Sequence, residues 1–392
     1  MHCSNSNNSI YHSFIHRKGV REPMKIICSK SDLLTGVNIV LKAVPVKTTM
    51  TVLECILIDT SDGVIKLTAT DMDMGIETVI EGDIIEGGHI ALNAKLFSEI
   101  VRKLPDSQVT LETDESCKAL ITCEKAKFNI AGRSGDDFAA LPVVEKTNAY
   151  SISQFSLKEI IRQTIFSTAD NDANPIFSGE LFEFSDNTLK VVALDGQRIA
   201  IRKIELKDSF ESARVIVPGK TLSEVARILP GEIDKDVNMY ITPLHMLFEF
   251  ENTIVVTRLI EGEYFQVERM ISSDYSSKAQ VNKRNLQDCI ERASLLVRES
   301  DRRPTIMGIS EGVMELSMQS QIGTMNEEID ISREGKDIEI GFNPRFMLDV
   351  LRVIDDEEIS IYLVNPRSPF SIRSDDGTYT YVILPISFNS GI

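Results

Sequence analysis

Few residues of this chain have the types and spacing that catalysis needs. Three of the five histidines fall within residues 1–23. His89 and His245 stand far apart, which suggests neither a two-histidine metal site nor a histidine serving a nucleophile. Cys3, Cys28, Cys55, Cys117, Cys123 and Cys289 form no Cys-x-x-Cys pair and follow no disulfide framework, so they read as reduced structural thiols of a cytoplasmic protein. Asp71-Met72-Asp73-Met74-Gly75 is the nearest approach to a metal loop, yet it lacks the further acidic ligands and the closing Glu of a calcium loop. Asp355-Asp356-Glu357-Glu358 reads as a solvated turn. There is no Walker loop and no GxGxxG fingerprint. The expectation is a protein without catalytic residues, metal or cofactor.

The elements that would position any other site are repeated. Asn93-Ala94-Lys95-Leu96-Phe97-Ser98-Glu99-Ile100-Val101-Arg102-Lys103-Leu104 returns from Pro218 to Leu229 and from Asn343 to Ile354, each copy 125 residues after the last. Three copies at a fixed period imply three equivalent domains. In the first copy Leu96, Phe97, Ile100, Val101 and Leu104 share one stripe at 3.6 residues per turn, with Lys95, Ser98, Glu99, Arg102 and Lys103 opposite, so the motif is an amphipathic helix. Pro105 and Pro230 end the first two copies. A second motif keeps nearly the same period. Ser61-Asp62-Gly63 leads into Val64–Leu67, Ser185-Asp186-Asn187 into Thr188–Val191, and Ser310-Glu311-Gly312 into Val313–Leu316, each a hairpin turn entering a strand. Asp71 then corresponds to Asp195 and Ser320, and a position that admits Ser is a poor metal ligand.

Each repeat also carries an earlier helix, over Ser31 to Lys42 in the first, with Leu33, Leu34, Val37, Val40 and Leu41 as its apolar set. The second uses Leu157, Ile160, Ile161 and Ile165; the third uses Leu286, Ile290, Ala293 and Leu296. Two helices per repeat with short alternating strands between them predict an α+β fold, helices packed on antiparallel sheet. Short polar linkers near Val143–Asn148 and Ser272–Gln280 set the expected domains at 24–145, 146–274 and 275–392. Residues 1–23, rich in Ser, Asn and His, are expected to be a disordered extension, and Met24 reads as a true start.

No run of about eighteen apolar residues exists, so no spanning helix is expected. A formal charge of −17 taken alone argues against a nucleic-acid binder. Against that, the recurring Lys95/Lys220/Arg345 and Arg102/Arg227/Arg352, with Lys42, Lys158, Arg162, Arg284, Arg292 and Arg298 on the earlier helices, form either one basic surface or solvated faces laced with salt bridges.

From Met24 to about Ser387 the chain resembles the bacterial DNA polymerase III beta subunit family. The resemblance rests on Lys47-Thr48-Thr49-Met50-Thr51-Val52-Leu53, Ala193-Leu194-Asp195-Gly196-Gln197-Arg198-Ile199-Ala200, Gly341-Phe342-Asn343 and Tyr381-Val382-Ile383-Leu384-Pro385-Ile386, in that order and on the three-repeat period. It implies a DNA sliding clamp: a head-to-tail homodimer whose three clamp-type domains per chain close a ring around duplex DNA and tether the replicative polymerase. A ring held by topology needs only weak, sequence-independent phosphate contacts, which answers the objection from charge.

Residue by residue, the resemblance implies DNA-facing positions at Lys47, Lys95, Asn171, Pro175 and Ile176. It implies a pocket for short linear peptides of the polymerase and the clamp loader, with Leu194, Gly196, Gln197, Arg198 and Ile199 on one wall, Val382, Leu384, Pro385 and Ile386 on the other, and Phe265 and Met270 toward the floor. Phe128, Leu295 and Leu296 match the apolar residues that meet across subunits. Gln197 and Phe265 depart from the family's usual His and Pro. The competing expectation is a three-repeat peptide-binding scaffold that does not encircle DNA.

Overall fold

The computed structural model describes residues 23–169, 174–272, 274–296 and 303–388; the expected extension therefore lies outside the described residues. The described chain forms two compact units. One runs to Ala69 and resumes over Glu77–Ala139; the other comprises Thr70–Ile76 and the chain from Ala140 onward.

In the first unit, α1 (Lys30–Val40) and α2 (Ala94–Lys103) pack on each other. Ser29 caps α1 by accepting the Asp32 N–H at 3.0 Å, and Asn93 caps α2 by accepting the Leu96 N–H at 3.0 Å. Leu33, Val37 and Val40 are fully buried, whereas Leu34 and Leu41 are only partly covered. On α2 the expected stripe is displaced: Leu96 is 45% exposed and Ser98 is 3% exposed. Both stand at the flanks of the stripe, about 100° from Phe97 on either side. Ser98 can go inside because its hydroxyl donates to the Lys95 carbonyl at 3.0 Å. Phe97, fully buried, anchors the helix, and truncating it to Ala would cost about 3–5 kcal/mol.

One antiparallel sheet of this unit has the strand order Asp83–Glu86, Lys25–Ser29, Gln108–Thr113, Lys118–Cys123, Ala126–Ala131. Another runs Arg133–Ser134, His89–Asn93, Cys55–Asp59, Ile65–Thr70. Met24 is fully buried and its amide donates to Thr113 Oγ1 at 2.8 Å.

The second unit holds the other two helix pairs, α3 (Gln154–Arg162) with α4 (Gly219–Ile228) and α5 (Lys283–Ser294) with α6 (Pro344–Val353). The second and third repeats lie in one compact unit. Strand Arg198–Pro218 of the second repeat pairs with strand Tyr379–Ile383 of the third, with Arg198 opposite Ile383 and Arg202 opposite Tyr379. That pairing places both repeats in one ten-stranded sheet. Ala200 of the second repeat is accordingly buried among core residues of the third.

Candidate functional site

The second unit brings together most of the predicted pocket residues. The two motif segments, expected as facing walls, are neighbouring antiparallel strands: Ile199 lies opposite Val382, and the Leu384 N–H donates to the Gln197 carbonyl at 2.9 Å. Leu194, Ile199 and Val382 are buried in an apolar cluster with Leu181, Val192 and Tyr264, and Met270 packs against it. Leu384, Pro385 and Ile386 are half-buried, while Gly196, Gln197 and Phe265 are exposed. The Ile386 N–H donates to the Gly341 carbonyl at 2.8 Å. Glycine is needed at 341, because a Cβ there would stand 2.7 Å from the Ile386 carbonyl oxygen.

The loop Asp195–Arg198 is built by one carboxylate. Asp195 Oδ1 accepts the N–H groups of Gln197 and Arg198 at 2.9 and 3.1 Å, and Gly196 supplies the left-handed φ of 86° that the turn requires. Asp195 Oδ2 accepts from Arg198 Nε at 3.0 Å. The rest of the Arg198 guanidinium reaches Asp349 on α6 and the Phe166 carbonyl, and it lies 4.5 Å from the Phe346 ring centroid. With 12% of its side chain exposed, Arg198 ties the loop to α6 through charge-assisted bonds and a cation–π contact.

Sequence reading missed part of this cluster. Pro175–Ser178 forms a 3₁₀ turn capped by Asn174, whose Oδ1 accepts the Ile176 N–H at 3.2 Å. That turn lays Ile176 and Phe177 on the apolar cluster, with Phe177 edge-on to Tyr264 at 6.4 Å. Ile176, expected on a DNA-facing loop, is thus partly buried against pocket residues because its side chain is apolar and the turn directs it inward. Pro175 remains exposed, and Asn171 lies outside the described residues. The available signal was the paired apolar Ile176-Phe177 just before a strand.

Burial controls the titration of the cluster's floor. Tyr264 donates to the Gly179 carbonyl at 3.2 Å, and desolvation, reinforced by nearby Glu180, pushes its phenol up. Glu180 is fully buried and neither carboxyl oxygen has a hydrogen-bond partner. Thr164 lies close enough to favour the ionised form slightly, but its hydroxyl proton is committed to the Ile160 carbonyl at 2.7 Å, so desolvation prevails and the carboxyl is raised well above its ordinary range. Two concave volumes lie away from the cluster, about 600 Å3 around Lys190 and Arg214 and about 500 Å3 around Gln163 and Arg202.

Other predicted positions are dispersed. Lys47 and Lys95 are exposed in the first unit, as is Phe128 at 37%. Leu295 is 78% exposed, and Leu296 lies partly covered beside Gly323. Much of the repeated basic set is paired: Lys220 with Asp71, Arg162 with Glu159 and Asp355, Arg227 with Glu224, and Arg292 with Glu327. Arg298 lies outside the described residues.

The residues weighed for chemistry have other employment. His89 Nε2 faces Asp136 at 3.1 Å, and burial pushes the Cys28 and Cys289 thiols up to about 12, leaving no thiolate at neutral pH. Among the described residues no three His, Cys, Asp or Glu side chains are placed to hold a metal, and no helix is long and apolar enough to cross a membrane.

Family models of the DNA polymerase III beta subunit match the chain in three stretches: the N-terminal domain over residues 24–142, the central domain over 151–266 and the C-terminal domain over 268–387. A beta sliding clamp from Staphylococcus epidermidis is 33% identical over 374 residues, 93% of this chain and 99% of that protein. A crystal structure from Eubacterium rectale, assigned as a DNA polymerase III beta subunit, superposes with a TM-score of 0.92 at 61% identity, covering 94% of this chain and all of that one. The DNA polymerase sliding clamp of Bacillus subtilis superposes with a TM-score of 0.90 at 34% identity, covering 93% and 100% of the two chains.

Proposed function

Because the chain belongs to the DNA polymerase III beta subunit family and is a DNA sliding clamp, a non-catalytic processivity factor with three clamp domains, we propose that two copies close head to tail into a ring around duplex DNA. Phe128 of one copy and Leu295 and Leu296 of the other form the apolar part of each closure. Domain limits at 24–145, 146–274 and 275–392 follow from the repeat. Lys47, Lys95, Asn171 and Pro175 face the duplex and make weak phosphate contacts without sequence preference, which lets the ring slide. Replication places the protein in the cytoplasm.

We further propose that the apolar cluster of Leu194, Ile199, Met270, Val382 and Leu384, widened by Ile176 and Phe177, receives short linear peptides of the polymerase and the clamp loader. The observation that supports this most is the pairing of the two motif strands. It sets apolar side chains beside a loop held by Arg198, with exposed Gly196, Gln197 and Phe265 at its margin. Gln197 and Phe265 then tune peptide preference.

The deciding test is loading onto nicked circular DNA by a cognate clamp loader, followed by linearisation. The ring is expected to stay on the circle and leave the linear form. Equal retention on both forms would mean an ordinary DNA binder, and retention on neither with an active loader would favour a scaffold. For the closure, Leu296→Asp places an unpaired charge in an apolar contact at a cost of about 3–5 kcal/mol, raising the dimer dissociation constant by more than about a hundredfold. A variant that sediments as a dimer at micromolar concentration refutes the assignment.

A further inference from the structure

The cavity of about 600 Å3 stands outside the apolar cluster but belongs to the same hairpin. In a straight strand Glu183 and Lys190 would lie about 23 Å apart on opposite faces. The strand Gly179–Leu194 instead breaks register with Arg198–Pro218 on either side of Asp186, and Lys190 comes round to Glu183 at 2.8 Å. The cavity occupies this bend. On each limb its lining lies two residues from a cluster residue: Glu183 follows Leu181, Lys190 precedes Val192, Lys203 follows Ile201 and Arg214 precedes Ile216. Positions two apart in a strand share a face, so cavity and cluster form one continuous surface. The turn Val267–Met270 borders both, since Val267 and Met270 pack on the cluster while Glu268 pairs with Lys190.

The charges of the bend are unevenly matched. Glu183 takes Lys190 through one oxygen and Arg214 Nε through the other at 3.1 Å, and Glu268 takes Lys190 again. Lys203, exposed on the facing limb, has no ion pair among the described residues. Arg214 gives Glu183 only its Nε, and among the described residues neither Nη group meets a carboxylate. Asp186, at the bend itself, is exposed to solvent.

These uncommitted donors define what fits. A basic side chain would have to displace a cation from Glu183. A nucleic-acid strand would bring several phosphates against Glu183, Glu268 and Asp186. A single carboxylate meets the Lys203 ammonium and the open edge of the Arg214 guanidinium without that repulsion. Building on the proposed peptide site, we propose that the cavity receives an acidic side chain of the same partner peptide, about two residues beyond the apolar residues that fill the cluster. The partner is thereby read for charge as well as for apolar shape.

The test measures binding of the full-length protein to its cognate replicative polymerase by surface plasmon resonance. Lys203→Glu, at an exposed position, is expected to weaken binding about tenfold, Lys203→Gln about threefold and Lys203→Arg less than about twofold. The deficit of Lys203→Glu should narrow as salt rises. Met270→Asp places a charge against the apolar cluster and tests the peptide site itself. Polymerase binding that survives Met270→Asp would overturn the peptide site and this inference with it. Binding lost in Met270→Asp but unchanged in Lys203→Glu would overturn this inference alone. So would equal weakening by Lys203→Arg and Lys203→Glu. Phosphate that competes with the polymerase more than chloride does at equal ionic strength, and only while Lys203 is present, would assign the cavity to a free anion and overturn it too.

Discussion

The turns at Asp71 and Asp195 are the same local object put to different uses. In the first, Asp71 Oδ1 accepts the N–H groups of Asp73 and Met74 at 3.1 and 2.8 Å, and Met72 takes φ 82°. In the second, Asp195 Oδ1 accepts the N–H groups of Gln197 and Arg198, and Gly196 takes φ 86°. Backbone closure matches as well, with Asp71 N–H to the Met74 carbonyl at 3.0 Å and Asp195 N–H to the Arg198 carbonyl at 3.4 Å. The fourth residue separates them. Met74 is a buried apolar residue, whereas Arg198 extends to Asp349 on α6. The free carboxylate oxygen follows the same division: Asp71 takes Lys220 of α4, and Asp195 takes its own Arg198. A repeated turn thus keeps its backbone, while one difference at its fourth residue changes which elements it is tied to.

The comparison breaks most sharply at Arg198. Arg198→Met, which gives the second turn the first turn's residue, leaves Asp349 with only Arg352 at 3.9 Å and frees the Phe166 carbonyl. Urea unfolding should show a loss of about 3 kcal/mol, and partner-peptide binding should fall with it; a loss below about 0.5 kcal/mol would show that the guanidinium does not hold the loop.

A second contrast lies one strand earlier, where Glu180 occupies the repeat position of Ile56 and Thr305, all three fully buried. Glu180 titrates above its unfolded value, so the folded state binds the proton more strongly. Its contribution is complete below the unfolded pKa and declines as pH rises toward the folded one. Glu180→Gln should therefore stabilise the protein more at pH 8 than at pH 4. A pH–stability profile unchanged in slope by the substitution would mean that Glu180 does not carry the effect.

The smallest effects sharpen the match between the turns. Gly196→Ala meets no neighbour within 4 Å, so its expected cost of about 1 kcal/mol is purely that of a left-handed side chain. Met72→Gly removes the same strain, offset by added chain entropy, and should stabilise by about 0.5 kcal/mol. Thermal unfolding of the pair should move in opposite directions.

Legibility followed the range of the interactions. The helices and the hairpin turns at 61–63 and 310–312 arise from contacts within a few residues, so type and spacing revealed them; the turn expected at Ser185-Asp186-Asn187 lies instead within the strand Gly179–Leu194, whose pairing with Arg198–Pro218 continues through bulges at that point. Flanking positions were less secure: Leu96 and Ser98 exchange roles because one serine hydroxyl finds a carbonyl in its own helix. Ile176 was assigned by its place in a loop, but its packing depends on Tyr264 and Gly262, more than eighty residues away.

The sequence alone determined three repeats, two helices in each, and the motif segments at 193–200 and 381–386, because periodicity and turn chemistry are written in neighbouring residues. Only the tertiary structure decided that those segments pair as strands, that two repeats share one sheet, and that Arg198 reaches Asp349 while Lys220 is occupied by Asp71. Each of these joins residues distant in the chain, and a surface charge or an apolar side chain does not announce its partner until the backbone brings the two together.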